Sequence, residues 1–259
     1  MSNHPQISRV RHEAKRRELT VRRLERLAPK MLRVVVGGDD LSGFTSLGFD
    51  DHVKLFFPEH PDTSTRDGAD RPFVMRDFTP RRYDPQTREL WIEFYLHQTG
   101  PAASWAVQAK VGDTLIVGGP RGSSIIGTEG IERHVLVGDE TGFPAMSRRW
   151  EELPRGSKAL LILEADDPLS YPFPTRADAE LEIIRAARTD VMGAGLLQAL
   201  RGVAIPPSGS FIWAATESQA ARNIHRYLVN ERSVDKRWIK AAGYWQRGSV
   251  GSHDVIQDT

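Results

Sequence analysis

The chain has 259 residues, 39% hydrophobic and 27% charged, enough for one large domain or two of ordinary size. Thirty-five Lys and Arg stand against 34 Asp and Glu, so the net charge of +1 recommends neither nucleic acid nor an anionic membrane as a partner. Cysteine is absent, which excludes disulfides, thiolate zinc sites, Cys-ligated iron–sulfur clusters and Cys nucleophiles, and suits a reducing cytoplasm.

The first thirty residues hold nine Lys or Arg against three Glu. Residues 1–17 read as a solvated basic arm leading into a strand, with an arm that binds an anionic partner as the alternative. The N-terminus lacks the apolar core of a signal peptide, and no run approaches the length of a membrane helix. A cytoplasmic monomer without membrane insertion is expected. Residues 18–27 and 31–36 read as two strands joined by a turn at residues 28–30. Residues 52–57 form a third strand, stopped by Pro58, and the polar stretch 59–70 is a loop. Residues 71–83 begin as a fourth strand in which Arg76 and Phe78 share a face. Pro80 cannot donate to a ladder, so pairing falters there and Thr79 sits at a strand end. Residues 89–96 are a fifth strand, 100–107 a short helix with Pro101 in its first turn, and 114–117 a sixth strand. Six short strands and one helix point to a closed antiparallel barrel.

The pattern then changes. Strands at 134–137, 158–163, 181–185, 210–214 and 237–241 alternate with helices at 144–153, 195–200 and 217–230, the last with Thr216 as N-cap. That alternation implies a mostly parallel sheet with helices on both faces. The boundary falls near residues 127–133. The expected organisation is a six-stranded barrel domain over 18–126, an α/β domain over 132–259, and the basic arm.

Chemistry gathers at a few stretches. Around residues 76–82 an aromatic ring, a hydroxyl and three Arg side chains suit a planar, phosphorylated ligand. Local chemistry by itself favours a plainer reading, an exposed basic hairpin with one core Phe. The turn from His97 to Trp105 opens a helix, whose free backbone N–H groups favour an anion; a capped surface helix is the alternative. Residues 118–123 make a tight turn bearing Arg121. Residues 138–144 lie at a strand-to-helix junction where open sheets bind ligands, but lack the G-x-G-x-x-G order. The eight His, at 4, 12, 52, 60, 97, 134, 225 and 253, form no metal-ligand pattern. Neither G-x-S-x-G nor a Walker A loop is present, so hydrolase and kinase readings have no support.

Taken together these stretches resemble the siderophore-interacting protein family, ferric-siderophore reductases related to ferredoxin–NADP reductases. The residues that carry the resemblance are 51–58, Arg76 to Arg81, Gly100 to Ala106, Gly119 to Ser123, Gly138 to Ala145, Trp213 to Glu217 and Gly243 to Trp245. The resemblance implies a FAD-binding barrel followed by a domain that binds NADH or NADPH, with ferredoxin as an alternative donor. It implies that Arg76 neutralises a flavin phosphate, Phe78 packs on the flavin ring in place of the family's Tyr, and Thr79 hydrogen-bonds near N5. Asp77, Arg81, His97, Gly100, Ala102, Ala103, Ser104, Gly122, Ser123, Asp139, Thr141 and Trp245 complete the implied cofactor set. Thr216 and Glu217 are implied for the nucleotide, with Thr216 standing where Gly is common. Lys54, Arg121, Lys240 and Arg247 are the cations expected to hold an anionic ferric siderophore. No residue is assigned to the chemical step and no protein-bound metal is expected: the flavin passes electrons to ferric iron, which its chelator holds less tightly once reduced. Reduction of another acceptor, and carriage of a ferric chelate without turnover, remain as rival readings.

Overall fold

The computed structural model describes residues 4–58, 73–97, 100–166, 170–248 and 254–256; the stretch 59–70, expected as a loop, and Gln98 and Thr99 of the turn before the first helix lie outside them. The chain divides into two compact units, one of Arg9–Ile125 with Ser170–Pro172, the other of Met1–Ser8, Ile126–Leu169 and Phe173–Thr259.

The first unit is an antiparallel sheet of seven strands. They are β2 (Arg16–Ala28), β3 (Met31–Gly37), β4 (Val53–Pro58), β5 (Phe73–Phe78), β6 (Arg82–Asp84), β7 (Glu89–Tyr95) and β8 (Thr114–Gly118), ordered β5-β4-β8-β2-β3-β7-β6. The alternation in β2 decides its faces: Leu19 and Val21 are fully buried, whereas Arg16 and Glu18 are exposed. Register shifts at Val21/Arg23 and Arg26/Ala28 bend this long strand. The sheet is rolled. Four strands lie between β5 and β7 in the ladder order, so in a flat sheet they would stand ~24 Å apart. Instead the rings of Phe78 and Phe94 meet at 4.5 Å between centroids. The helix α1 (Pro101–Gln108) lays Trp105 against Phe57 and Phe94, each at 5.7 Å. One apolar cluster, with Leu19, Val34, Leu55, Phe57, Ile92, Phe94 and Val117 at its centre, fills the roll.

Seven strands stand where six were expected, because the stretch read as one strand is two. β5 ends at Phe78 and β6 starts at Arg82, with Pro80 between them and no ladder joining the two among the described residues. A further pair, β1 (Ile7–Arg11) with β9 (Gly122–Ile126), was not expected. Its sequences carry weak strand signals, and Gly122 is admitted by close approach, since a Cβ there would lie 2.6 Å from the Val10 carbonyl oxygen.

The second unit holds β10 (Arg133–Asp139), α2 (Phe143–Glu152), β11 (Lys158–Glu164), β12 (Glu180–Ala186), α3 (Ala194–Arg201), β13 (Ser210–Glu217), α4 (Ser218–Arg226), β14 (Ile239–Trp245) and β15 (Asp254–Ile256). Its sheet runs β12-β11-β10-β13-β14-β15, parallel except for the antiparallel edge strand β15. β10 and β13 are buried almost throughout, as parallel strands covered on both faces must be. The chain builds outward from β10 to β11 and β12, then crosses back to β13. The order therefore reverses between β10 and β13, where open α/β sheets form ligand crevices.

Two expectations are corrected here. The helix read over 217–230 is α4 followed by a π-helical turn, Tyr227–Glu231, closed by the Arg232 N–H donating to the Tyr227 carbonyl at 3.1 Å. Its N-cap is Glu217, not Thr216: the Glu217 carboxylate accepts from the N–H groups of Gln219 and Ala220 at 2.6 and 3.0 Å. The Thr216 hydroxyl is engaged elsewhere.

His134, at the start of β10, is 2% exposed, and burial, followed by the Arg149 cation, pushes its pKa down to about 3. The folded protein keeps this ring neutral while the unfolded chain protonates it near 6.5, so stability falls as pH drops from 6.5 toward 3. The expected loss from this residue between pH 7 and pH 4 is about 3 kcal/mol. Urea unfolding of His134→Leu at both pH values should show a shallower acid limb; equal losses in variant and wild type would remove His134 as the cause.

Candidate functional site

The barrel unit presents its candidate residues around the gap between β5 and β6. Arg76 is half-buried, its Nη1 donating to the Met75 carbonyl at 2.8 Å. Burial lowers its guanidinium pKa, and no carboxylate pairs with it among the described residues. A partly desolvated cation without a counter-charge suits a phosphate. Phe78 turns inward onto Phe57 and Phe94 and is a partly buried member of the core. Thr79 and Arg81 are buried at 7% and 3% exposure. Arg81 faces Glu93 at 3.7 Å, so its charge serves the interior. Glu93, whose side chain is fully buried, also accepts from Arg33 at 2.7 Å and from the Tyr171 hydroxyl at 2.5 Å. Asp77 pairs with Lys54 at 2.7 Å, which places one expected substrate cation in an ion pair.

Gly100, the N-cap of α1, has φ +128, and a Cβ there would lie 2.9 Å from His97 Cε1. Only glycine meets both conditions. Burial lowers the His97 pKa, so the ring beside the turn is neutral at pH 7. Among the described residues no side chain caps α1, and its first N–H groups, those of Ala102 and Ala103 included, have no intrahelical partners. Ala103 is buried and Ser104 exposed. Phe94 touches both Phe78 and Trp105, so the end of β5 and the start of α1 share one aromatic wall. Arg121 is exposed and Gly122 half-buried. The Ser123 hydroxyl is already engaged: it donates to Asp51 Oδ2 at 2.5 Å and accepts from the Leu47 N–H at 2.9 Å.

In the α/β unit, Asp139 at the end of β10 gathers three of the residues expected from the sequence. It is 2% exposed. Oδ1 accepts from the Thr141 N–H and hydroxyl at 3.0 and 2.5 Å; Oδ2 accepts from the Thr216 hydroxyl and the Trp245 indole N–H, both at 2.8 Å. The switch point between β10 and β13 is thus cross-linked by one carboxylate. Gly142 keeps the turn tight, since a Cβ there would lie 2.9 Å from the Ala215 carbonyl oxygen. The N-terminus of α2 has no side-chain cap. Lys240 is half-buried on β14, and Arg247 lies exposed beyond its end.

Sequence reasoning missed a cleft of about 780 Å³ beyond the ends of β11 and β12, lined in part by Asp166, Arg185, Arg188, Thr189 and Arg247. It also missed the carboxylates beside it. Glu140 and Glu164 are buried, desolvation raising the pKa of each, and both face Arg188. The available signal was an acidic residue closing the second strand of an α/β unit, the position that often meets a ribose.

Asp139→Ala leaves the buried Thr216 hydroxyl and the Trp245 indole N–H without an acceptor and should destabilise the protein by about 2–4 kcal/mol. Chemical unfolding measures the loss, and the Trp245 contribution to the fluorescence should shift to the red. Asp139→Asn, which keeps one acceptor oxygen, should lose less; equal effects of the two substitutions would show that the contacts to Asp139 carry little.

The model described as the siderophore-interacting FAD-binding domain matches residues 20–124, and that described as siderophore-interacting protein matches residues 131–248. The NADPH-dependent ferric-chelate reductase of Escherichia coli (strain K12) is 37% identical over 259 residues, covering 95% of this chain and 99% of its own. The ferric vibriobactin reductase of Vibrio cholerae is 30% identical over 241 residues, covering 86% of each chain. Among solved structures, a siderophore utilization protein from T. fusca superposes with a TM-score of 0.82 at 34% identity, covering 95% of this chain and 98% of its own. A barrel matched by one model and an α/β unit matched by the other, with relatives spanning both, place this chain in the siderophore-interacting protein family.

Proposed function

We propose that the chain is an FAD-dependent oxidoreductase that moves electrons from NADPH to the ferric ion of an iron chelate, releasing ferrous iron. The observation that carries it is the aromatic wall of Phe94, which brings the start of α1 to the strand bearing Arg76, a half-buried cation that, among the described residues, has no carboxylate partner. These residues fit a flavin nucleotide: an anion-seeking guanidinium, free backbone N–H groups and a glycine that lets a ligand approach. FAD held there would supply the link between two-electron hydride chemistry and one-electron reduction of ferric iron.

The protein's own part is binding and orientation. Arg76 and the α1 N–H groups would hold the cofactor's phosphates. Thr79, at the end of β5, would offer a hydroxyl at the ring's edge. In the α/β unit, Asp139 fixes the Trp245 ring and the Thr216 hydroxyl, presenting a flat surface and a rigid crevice mouth for the nicotinamide nucleotide. Arg185 and Arg247, exposed on the cleft beyond β11 and β12, would take its phosphates. Arg121 is the exposed barrel cation offered to an anionic chelate, and Lys54 would join it only by exchanging its ion pair with Asp77. The lack of cysteine suits work in a reducing cytoplasm, where ferrous iron persists.

An anaerobic absorbance experiment tests the reading. The purified protein should bind FAD, the flavin should bleach on NADPH, and a ferrous trap should colour when a ferric chelate is added. Bleaching without ferrous iron would point to another acceptor, and bleaching by reduced ferredoxin alone would change the donor. Arg76→Ala removes one charge-assisted phosphate contact, so FAD affinity should fall by about ten- to a hundredfold. Fluorescence titration with FAD reads that loss; unchanged affinity would take Arg76 out of the site.

A further inference from the structure

The barrel unit carries a second cleft, of about 470 Å³, that the flavin and nucleotide readings do not use. Its walls come from the start of β2, the segment before it, the turn after residues 39–41 and the turn after β8. Arg11, His12, Lys15, Arg17, Ser42 and Thr45 line it, with Glu13 as the one carboxylate on the rim. Arg11 and Lys15 are exposed and bond to no other side chain among the described residues.

Arg17 is different in kind, because it is 5% exposed. Its Nη1 donates to the carbonyls of Lys15 and Gly119 at 3.1 and 2.8 Å, and its Nε to the Asp40 carbonyl at 3.1 Å. The ring of Phe44 lies 5.2 Å from its Cζ. Carbonyl dipoles and a ring orient this cation; Asp40 attracts it through space, but no carboxylate forms an ion pair with it among the described residues. The Asp40 carboxylate accepts instead from the Glu18 N–H at 3.1 Å. Burying a cation without an ion pair is costly, and an anion in the adjoining cleft would offset that cost.

His12 adds a fixed ring. The Ser123 hydroxyl gives its single proton to Asp51, so the His12 Nε2, 2.7 Å from it, must be the donor. His12 Nδ1 then has no partner among the described residues. Four basic side chains, one buried and one held in place, share a cleft with two hydroxyl-bearing residues and a single carboxylate.

We propose that this cleft binds a small, multiply charged oxyanion, a polycarboxylate or a phosphate. Its source is either a free anion or the anionic arm of a ferric chelate. Lys54 and Arg16 both register with Gly118, the residue before the Gly119–Pro120 wall, so a chelate held near Lys54 lies along the same end of the sheet. The substrate-arm source rests on the reductase reading; the anion site itself does not.

Isothermal titration of the full chain with citrate, and separately with inorganic phosphate, at low ionic strength tests the site without flavin or nucleotide. Saturable binding is expected, weakened about tenfold in the double variant Arg11→Ala/Lys15→Ala, whose exposed side chains can be removed without disturbing the fold. The thermal midpoint of the variant should match wild type. NADPH-driven reduction of a carboxylate-bearing and of a neutral ferric chelate then separates the sources. A KM raised about tenfold for the carboxylate chelate alone identifies the substrate arm; weakened citrate binding with both KM values unchanged identifies a free anion. Citrate binding undiminished in the variant, or no binding together with unchanged KM values, overturns the proposal.

Discussion

The barrel depends on where its sheet fails to close. Its two edge strands, β5 and β6, follow one another in the chain, and the residues between them include a proline that cannot donate to a ladder. An open edge in a rolled sheet is an aggregation hazard unless something occupies it. Here the closure is made by side chains: Phe78 of β5 reaches Phe94 of β7 across the roll, and Trp105 of α1 packs on the same ring. The backbone beside the gap therefore remains available while the interior is sealed. Arg76, half-buried, and Thr79, buried, lie beside that gap. A hydrogen-bonded closure would have turned the same residues into ordinary ladder members.

The α/β unit solves a related problem with charge. Parallel strands β10 and β13 are buried on both faces, yet their ends must present polar groups to a ligand. A buried carboxylate is stable only when its oxygens are satisfied. Asp139 meets that condition with four donor groups from Thr141, Thr216 and Trp245. The same four bonds tie the end of β10 to the turn that follows it, to the end of β13 and to the last residue of β14. Rigidity at the crevice and tolerance of a buried charge are one device.

Much of this was legible in the sequence because it rests on local rules. Residues 18–27 and 31–36 read as strands, 134–137 as an apolar strand, and Pro80 marks the end of β5. The resemblance implied Asp139, Thr141 and Trp245 for the cofactor and Thr216 for the nucleotide, but nothing in the sequence showed the bonds that join them. What was hidden depends on partners distant in the chain. Thr216 looked like a helix cap, and only its proximity to Asp139, 77 residues away, sends its hydroxyl elsewhere. Arg81 looked like a phosphate ligand, and only the register of β7 shows that Glu93 lies in front of it. β1 and β9 carry weak strand propensities and exist through pairing with each other. The cleft beyond β11 and β12 is a property of strand ends brought together, which no single stretch displays.

The distribution of cations follows from the same distinction. Arg188 sits at the cleft, but its guanidinium is committed to Glu140, Glu164 and Asp166, two of them buried with desolvation raising their pKa. A desolvated acidic pair next to a cation holds it tightly, because releasing the Arg would leave both carboxylates without compensation. Arg188 thus neutralises the protein's own interior and has little charge left for a ligand. Arg185 and Arg247, exposed on the same cleft, form no such ion pairs among the described residues. Counting arginines near a phosphate site therefore overstates its attraction; the cations that matter are those whose charge the fold has left uncompensated. Among the described residues, Arg76 and Arg17 in the barrel, and Arg185 and Arg247 in the α/β unit, form no side-chain ion pair with a carboxylate. Lys54, Arg81 and Arg188, equally basic in the sequence, are engaged in holding the structure together.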